Sequence, residues 1–311
     1  MLSKESKIYI AGHNGMVGSA CWRALIKAGY KNLIGKSSKE LDLRNQSEVK
    51  DFLVDEKPFA IIDAAAKVGG ILANDTHPYE FLLDNMLIQN NLIKSAHELD
   101  IQKFIFLGSS CIYPKLAPQP LKEDYLLTGP LEPTNEWYAI AKISGVKLIE
   151  ALRKQYSRDY VSLMPTNLYG PGDNFGLKSS HVLPAMIRKF HDAKINKEKV
   201  VILWGTGSPM REFLHVNDLA EMVRLTLENN FEYSFYNVGT GTDVKIKELA
   251  NIIQNIVGYQ GEIEWDINKP DGTPRKLLDI TRSLKIGFEP KTTLFSGIKS
   301  TYEWYLKHQI S

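Results

Sequence analysis

A glycine-rich segment near the start of the chain constrains the fold more than any other feature of the sequence. The apolar run KIYIAG leads directly into AGHNGMVGSA, which spaces Gly12, Gly15 and Gly18 as G-x-x-G-x-x-G ahead of a helix-like stretch. Glycine permits a tight turn and a close approach of the backbone to a pyrophosphate, and the N-terminus of the following helix then faces the anion. In this strand–loop–helix context the segment predicts a dinucleotide-binding loop, and the alternative is an ordinary turn and helix cap.

The first half of the chain alternates strand-like and helix-like segments. Buried strands are predicted for KIYIAG, NLIG, FAIIDAA, KFIFLGSS and YVSLMPTN. Helices are predicted between them, for MVGSACWRALIKAG, SEVKDFLVDE, PYEFLLDNMLIQNNLIKSAHELD and WYAIAKISGVKLIEALRKQY. This alternation predicts an α/β fold with a Rossmann-type, doubly wound parallel sheet and helices on both faces.

The character of the sequence changes after about residue 165, where Gly and Pro cluster in NLYGPGDNFG, WGTGSPM and KPDGTP. We therefore expect a dinucleotide-binding domain over residues 1–165 and mainly a smaller α/β substrate-binding lobe over residues 166–311. Some strands of the second part are expected to return to the first sheet.

Charge and composition exclude several classes of protein. The 311 residues carry a formal net charge of +2, which is too balanced for a general binder of nucleic acid or of a membrane surface. The two cysteines, Cys21 and Cys111, lie far apart and lack metal-ligand spacing, so we expect neither a disulfide framework nor a metal site. The start MLSKESKIYIAG leaves no room for a signal peptide, and no apolar stretch approaches about 18 residues, so we expect a cytoplasmic protein.

The residues after the second predicted strand bear on the choice of cofactor. A dinucleotide without a 2′-phosphate usually meets an acidic residue there, about 20 residues after the glycine loop. This chain has GKSSKE instead, in which Lys36 and the neighbouring hydroxyls suit a 2′-phosphate. NADP(H) is therefore favoured and NAD(H) stays an alternative, as does a solvated polar turn without any role.

A tyrosine and a lysine with helical spacing predict proton transfer. The segment WYAIAKISG places Tyr138 and Lys142 four residues apart, on one face of a predicted helix. A fixed ammonium stabilises a phenolate and lowers the pKa of a tyrosine towards neutral pH. Tyr138 would then give a proton to a carbonyl oxygen while a hydride attacks the carbon, and Ser109, at a strand end, would hydrogen-bond the same oxygen.

These features resemble the extended short-chain dehydrogenases/reductases, and within them the family of GDP-L-fucose synthases, which epimerise and reduce GDP-4-keto-6-deoxymannose. The resemblance covers nearly the whole chain. It rests on AGHNGMVGSA, AAAKVGGI, LGSSCIYPK, LEPTNEWYAIAK, MPTNLYGPGDNF, SHVLPAMIRKF, WGTGSPMREFLHVNDLA and KPDGTPRKLLD. It implies a nicotinamide-dependent enzyme acting on a GDP-linked 4-keto-6-deoxy sugar.

The resemblance also implies roles for matching positions. The reductase triad corresponds to Ser109, Tyr138 and Lys142. Contacts to the GDP-sugar correspond to Lys189, Trp204, Arg211 and Asp271. Cofactor contacts correspond to Gly12, His13, Asn14, Gly15, Met16, Val17, Gly18, Leu107, Gly108, Ser110, Tyr138, Lys142, Pro165, Thr166, Asn167, Leu168 and His181.

Three positions depart from the family pattern. Arginines that assist the 2′-phosphate are typical where Asn14 and Ser38 stand, which weakens the preference for NADP(H), although Lys36 and Lys39 offer compensating charge. Lys189 stands where an arginine is more usual, so the cation is kept and the bidentate fork is lost.

Cys111 and His181 match the cysteine and histidine that this family uses to epimerise the sugar. A C4 ketone acidifies the hydrogens at C3 and C5, and inversion then needs a weak base and a weak acid on opposite faces of the ring. Cysteine and histidine titrate within reach of neutral pH. The alternatives are a small buried packing residue for Cys111 and a surface or capping group for His181.

Several points stay open at the level of sequence. Arg211 suits a pyrophosphate clamp, whereas Trp204, taken alone, is better interpreted as core of the second lobe. Sugar contacts are expected from residues 67–75 and 168–180, and apolar stripes on two long helices predict a homodimer. Reduction without epimerisation, on a related sugar such as a GDP-4-keto-6-deoxyheptose, is the alternative function. A non-catalytic nucleotide-sensing protein is remote because the complete triad is present.

Overall fold

The computed structural model describes residues 1–177, 180–269 and 271–308, and the structural statements below refer to these residues. Lys178 and Ser179, in the second segment expected to contact the sugar, lie outside the described residues. So does Pro270, in one of the motifs that carry the family resemblance.

Strands and helices alternate through the first half of the chain, as the sequence predicts. The strands are β1 (Ile8–Ala11), β2 (Leu33–Ile34), β3 (Ala60–Asp63), β4 (Lys103–Leu107), β5 (Asp159–Pro165), β6 (Asn167–Tyr169), β7 (Val200–Trp204), β8 (Met210–His215), β9 (Phe235–Val238), β10 (Asp243–Lys245), β11 (Glu262–Asp266) and β12 (Arg275–Lys276). The helices are α1 (Met16–Lys27), α2 (Gln46–Glu56), α3 (Ile71–Thr76), α4 (Pro78–Glu98), α5 (Glu136–Tyr156), α6 (Val182–Ile195), α7 (Val216–Glu228), α8 (Ile246–Val257), α9 (Thr281–Lys285) and α10 (Leu294–His308). Among the described residues, no helix combines the length and the apolar character needed to cross a membrane.

Six strands form one parallel sheet in the order β2-β1-β3-β4-β5-β9. Every residue of β1, β3, β4 and β9 is buried. A parallel sheet covered on both faces needs such unbroken apolar strands, which explains why the corresponding segments show no polar alternation. The predicted doubly wound sheet is confirmed. The chain runs from β1 to β2 on one side and then crosses back to β3 on the other side of β1. The strand order changes direction there, so a ligand crevice opens at the carboxyl ends of β1 and β3.

Two apolar cores lie on the two faces of this sheet. On one face Val49 of α2, Ile93 of α4 and Val146 of α5 are fully buried against the strands. On the other face Leu25 of α1 and Leu219 of α7 are equally buried. Each such side chain contributes about 1.5–3 kcal/mol by leaving water, so the scaffold under the crevice is rigid.

The second lobe is built from shorter strands of mixed direction. In it β8 pairs antiparallel with β10 and parallel with β12 and β6, while β7 and β11 form a separate parallel pair. Its core lies among α6, α8 and α10, where Ile187, Phe190, Ile253 and Ile298 are buried. The division of the chain at residue 165 stays a prediction.

A buried carboxylate holds the second lobe together. Glu212 of β8 is inaccessible to solvent. Its Oε1 accepts hydrogen bonds from the amides of Thr240 (2.6 Å) and Gly241 (2.7 Å), and its Oε2 accepts one from the amide of Leu278 (3.0 Å). Burial raises the pKa of this carboxyl, and these bonds act in the opposite direction. Three segments distant in sequence therefore meet at one side chain.

Candidate active site

The glycine loop has the shape that the sequence predicts. Gly12 follows β1 with a φ of +77°, and a Cβ there would lie 2.8 Å from the carbonyl oxygen of Ala64 on the loop after β3. A Cβ on Gly18 would collide with the carbonyl group of Gly12. Helix α1 begins directly after Gly15, which supplies no side-chain cap to the first amides. Free helix amides beside a backbone stripped of side chains fit the pyrophosphate of a dinucleotide.

Lys36 lies on the loop after β2, the strand next to β1. Its Nζ is 3.8 Å from an oxygen of Glu40, whose other oxygen accepts from the amide (2.8 Å) and hydroxyl (2.6 Å) of Ser37. These bonds lower the pKa of Glu40. The ring of His13 packs against Gly35, so a side chain at position 35 would collide with that ring. The loop thus offers a cation and hydroxyls near the glycine loop, together with one carboxylate that is already engaged.

The end of β4 carries the serine and cysteine singled out in the sequence. Ser109 begins a short 3-10 turn at Ser110–Ile112, and its Oγ accepts a hydrogen bond from the amide of Cys111 at 3.3 Å. Ser110 and Cys111 are both buried. Because the strand ends here, both side chains leave the sheet at the edge where the crevice opens.

Helix α5 brings Tyr138 and Lys142 to the same edge. The ammonium of Lys142 donates to the carbonyl of Leu107 at 2.8 Å and lies 4.7 Å from the ring centre of Phe106. It lies 5.8 Å from the ring centre of Tyr138, so the two side chains do share one face of the helix. Lys142 is only 3% exposed, so its ammonium has almost no contact with water.

The pKa of Tyr138 shifts in a direction that the sequence does not predict. Burial raises it, and Cys111 and Asp63, when ionised, add to the rise. The ammonium of Lys142 donates to the carbonyl of Leu107, and it lies 5.8 Å from the ring centre of Tyr138. Tyr138 is therefore held protonated, which is the form that donates a proton.

Cys111 and His181 both lie within electrostatic reach of Lys276 of β12. Burial raises the pKa of the Cys111 thiol, and Lys276 is first among the groups that oppose the rise. His181 immediately precedes α6 and is exposed, yet the protein atoms around its ring still lower its pKa, as does Lys276. The structure thus relates the two predicted proton-transfer groups through one cation.

The segment from Pro165 to Leu168 connects β5 to β6 beside the end of β4. Thr166 is buried, and its hydroxyl donates to the carbonyl of Glu212 at 3.3 Å. The side-chain amide of Asn167 donates to the same carbonyl at 2.8 Å. The predicted cofactor segment is therefore fastened to β8 of the second lobe.

Trp204, at the end of β7, is 62% exposed, so its interpretation as core is wrong. Its strand alternates buried and exposed residues, and Trp204 falls on the exposed side. The ammonium groups of Lys189 and Lys269 lie 5.9 and 5.5 Å from its ring centre. An exposed indole flanked by two cations is suited to stack on a base next to phosphates.

Asp271 and Arg211 continue from this tryptophan towards Cys111. Asp271 accepts hydrogen bonds from the amide and the hydroxyl of Thr206, both at 2.7 Å, two residues after Trp204. Its charge raises the pKa of Arg211 whereas burial, the larger effect, lowers it. Arg211 is in register with Lys276, which is close to the thiol. The four predicted substrate residues thus form a path that leads to the predicted catalytic ones.

Sequence reasoning missed three groups of this region. Lys276 belongs to the motif KPDGTPRKLLD, but nothing in the sequence brings it near Cys111. Lys269 is the first residue of the same motif, and the sequence assigns it no role. Asp63, at the end of β3, is 1% exposed, and burial raises its pKa to about 6. Among the described residues no group of three or more His, Cys, Asp and Glu side chains is arranged to hold a metal ion.

The fold, with the predicted Ser–Tyr–Lys residues at the end of a Rossmann sheet, indicates a dinucleotide-dependent enzyme. The model of the NAD dependent epimerase/dehydratase family matches residues 8–239, and the chain belongs to this family.

Relatives resemble the chain over its full length. It is 53% identical over 308 residues to GDP-L-fucose synthase 1 of Arabidopsis thaliana, with 99% of this chain and 95% of the relative covered. It is 50% identical over 317 residues to the GDP-L-fucose synthase of Escherichia coli K12, with 99% and 98% covered. Among solved structures, MlghC, a GDP-mannoheptose C4 reductase from Campylobacter jejuni with NADP bound, superimposes with a TM-score of 0.91 at 38% identity. It covers 98% of this chain and 100% of that one.

Proposed function

We propose that this enzyme converts GDP-4-keto-6-deoxymannose into GDP-L-fucose, by epimerisation at C3 and C5 and NADPH-dependent reduction of the C4 ketone. The observation that carries the proposal is the identity of 50–53% with GDP-L-fucose synthases over 99% of the chain. The predicted site residues offer a candidate for each chemical step.

The cofactor is proposed to lie across the carboxyl ends of β1, β4 and β5. The glycine loop from Gly12 to Gly18 would hold its pyrophosphate, and Lys36 would face its 2′-phosphate. The backbone at Leu107–Ser110 and Pro165–Leu168, with Lys142, would hold its nicotinamide half. Bound NADPH supplies the hydride that adds to C4.

The reduction assigns distinct tasks to three side chains. Tyr138, held protonated, gives its proton to the C4 oxygen as the carbon–oxygen double bond is reduced. Ser109 orients that oxygen by a hydrogen bond. Lys142 supplies a nearby positive charge that stabilises the phenolate left on Tyr138.

Epimerisation is proposed to precede reduction because only the ketone makes the neighbouring carbons acidic. A thiolate at Cys111 takes the hydrogen from C3 or C5 as a proton, and the electron pair moves into an enolate on the C4 oxygen. His181 returns a proton from the opposite face, which inverts the centre. Cys111 is buried at the end of β4, and His181 immediately precedes α6 in the second part of the chain, so the two groups reach the site from different segments.

The nucleotide part is proposed to lie along the path from Trp204 to Arg211. The indole would stack on guanine, Lys189 and Arg211 would bind the diphosphate, and Asp271 would fix the loop at Thr206 that carries the stack. The exposure of Trp204 supports this placement, because a solvent-facing indole has no packing role.

A second candidate function is C4 reduction without epimerisation on a GDP-linked heptose. MlghC, a GDP-mannoheptose C4 reductase, shares the fold at a TM-score of 0.91. Its identity of 38% is well below the 53% shared with the plant GDP-L-fucose synthase, so the first function is favoured.

One reaction in D2O distinguishes the two functions. The enzyme is incubated with NADPH and GDP-4-keto-6-deoxymannose, cofactor oxidation is followed by absorbance, and the product is examined by NMR. Oxidation with deuterium at C3 and C5 and an L-sugar product supports the first function. Oxidation with retained configuration and no deuterium contradicts it in favour of simple reduction, and no oxidation with NADPH or NADH sends the test to a heptose substrate.

The homodimer and the cytoplasmic location also stay predictions. Tyr79 on α4 and Trp137 and Ile140 on α5 are exposed apolar side chains on neighbouring helices, which supports a dimer formed through α4 and α5. Replacing Ile140 with Glu should convert a dimer into a monomer in light scattering, whereas a wild-type monomer would contradict the prediction. Cell fractionation tests the location.

A further inference from the structure

We propose that Lys276 is a positioning residue for proton transfer, whose ammonium favours the thiolate form of Cys111 in the free enzyme. The substrate step that uses this thiolate rests on the proposed function. The effect on the thiol itself does not, because it concerns the protein without substrate.

Lys276 and Cys111 line one cavity between the two lobes of the site. The cavity is bordered among others by Ser110, Cys111, Glu132, Asn135, Thr273 and Lys276. Lys276 is the last residue of β12, and β8 fixes it in register with Arg211. The backbone of Lys276 is therefore held in place, and its side chain is only partly exposed.

The charge of Lys276 is not neutralised by a neighbouring carboxylate. Within residues 1–177, 180–269 and 271–308 its ammonium makes neither an ion pair nor a hydrogen bond. Glu132, the acid that faces it across the cavity, already binds Lys115 at 3.0 Å and the hydroxyl of Thr273 at 3.2 Å. The adjacent Arg275 is held by Asp243 at 2.6 Å. The field of Lys276 is thus available to the thiol.

The groups around Cys111 act on its pKa in opposite directions. Burial raises the pKa, while Lys276 from β12, the hydrogen bond with Ser109 and Lys142 from α5 lower it. Tyr138 also faces the thiol, but it is held protonated and carries no charge. Lys276 itself is faced by Cys111, Arg211 and Glu132, and burial lowers its own pKa. Among the opposing groups, Lys276 has the largest effect on the thiol.

The same cation acts on His181, whose pKa it lowers together with the surrounding protein atoms. A histidine with a lowered pKa is a stronger acid when protonated. One lysine therefore favours the basic form of the cysteine and increases the acidity of the histidine, which is the combination that inversion of a carbon centre needs. In that step the C–H bond breaks, an S–H bond forms on Cys111, and the electron pair moves to the C4 oxygen.

The proposal is tested by the pH dependence of iodoacetamide alkylation in the free enzyme, since only the thiolate reacts. A cation close to a thiol lowers its pKa by roughly one unit or more, so in K276M the alkylation rate of Cys111 at neutral pH should fall about tenfold and its midpoint should move to higher pH. K276R keeps the charge and should follow the wild type. R275M removes a charge one residue away that is bound to Asp243, and it should also follow the wild type. C111S provides the blank for labelling at the buried Cys21.

An unchanged midpoint in folded K276M would overturn the proposal, as would equal shifts in K276M and R275M. If K276M does not fold, K276Q is measured in its place against K276R.

As a second readout, the His181 resonance should titrate at higher pH in K276M than in the wild type. With substrate, K276M should slow deuterium exchange at C3 with little change in KM. A raised KM with an unchanged thiol profile would assign Lys276 to binding and contradict the proposal. Failure of the wild type to epimerise would contradict the proposed function alone.

Discussion

The six-stranded sheet and the second lobe differ in how completely their strands are buried. In the sheet, β1 and β4 are buried at every residue. In the second lobe, β7 alternates between buried and exposed residues, and every residue of β11 is at least partly exposed. The proposed Ser–Tyr–Lys centre lies at the end of the first set of strands, whereas Trp204 lies at the end of the second.

This difference in burial fits the two functions proposed for these regions, catalysis in the first and substrate binding in the second. Proton and hydride transfer need atoms held to within fractions of an ångström, and a packed parallel sheet provides that rigidity. Recognition of a nucleotide needs exposed rings and cations that a ligand can cover, and the proposed nucleotide site on β7 and α6 has both. A substitution in one region should therefore affect turnover, and a substitution in the other should affect binding.

The largest effect is expected for Tyr138→Phe, which removes the proposed proton donor. Turnover should fall by about 10²- to 10⁴-fold, the usual contribution of general acid catalysis, while the thermal unfolding temperature stays near that of the wild type. The rate is measured by cofactor oxidation with saturating substrate. Turnover close to wild type would remove Tyr138 from the mechanism and weaken the division of work between the two regions.

Stability should distinguish the two regions next. Ile62→Ala in β3 truncates a fully buried side chain and should cost about 2–5 kcal/mol of unfolding free energy. Ile202→Ala in β7 truncates a side chain that is 55% exposed and should change it by no more than about 0.5 kcal/mol. Urea unfolding of both variants provides the comparison, and similar losses would contradict it.

The buried carboxyl of Asp63 predicts a pH dependence that belongs to the first region. Burial raises its pKa to about 6 in the folded chain, so the folded state binds this proton more tightly than the unfolded state does. This contribution to stability is complete below about pH 4 and is lost as the pH rises through about 6, a change of about 2–3 kcal/mol. The unfolding free energy of the wild type relative to Asp63→Asn should therefore fall across that window. A constant difference between the two proteins would show that Asp63 has an ordinary pKa.

The smallest effect is expected for Trp204→Ala. Loss of an exposed stacking surface should raise KM for the GDP-sugar by about tenfold and leave kcat nearly unchanged, because the chemistry lies on the other region. Ile202→Ala, on the same strand and also more than half exposed, should leave both constants unaltered. A fall in kcat without a change in KM would show that the indole acts on the reacting groups.

The sequence predicts the first region well for a physical reason. Unbroken apolar runs such as those of β1 and β3 have few alternatives to a covered parallel sheet, and the four-residue spacing of Tyr138 and Lys142 places both on one helix face. The second region depends on contacts between distant segments. Taken alone, Trp204 is better interpreted as core, and only the family resemblance indicates a contact to the GDP-sugar, because the sequence does not reveal which side of the β7–β11 pair is exposed. Nothing local to Lys276 reveals that β12 carries it to Cys111.

The direction of the Tyr138 pKa was missed for a related reason. Spacing places a lysine beside the tyrosine, but it does not tell where the ammonium points. The carbonyl of Leu107 binds that ammonium, and this bond depends on how α5 packs on β4. Burial then decides the sign of the shift.

The buried carboxylate of Glu212 has a consequence for how the second lobe opens to solvent. The amides of Thr240 and Gly241 donate to it from one loop, and the amide of Leu278 donates from another. If the carboxylate leaves its place, all three amides lose their partner at once. In hydrogen–deuterium exchange these amides should therefore exchange at a common rate, as one cooperative opening unit. Glu212→Gln, which keeps one oxygen acceptor and loses the other, should accelerate them unequally and separate the two loops.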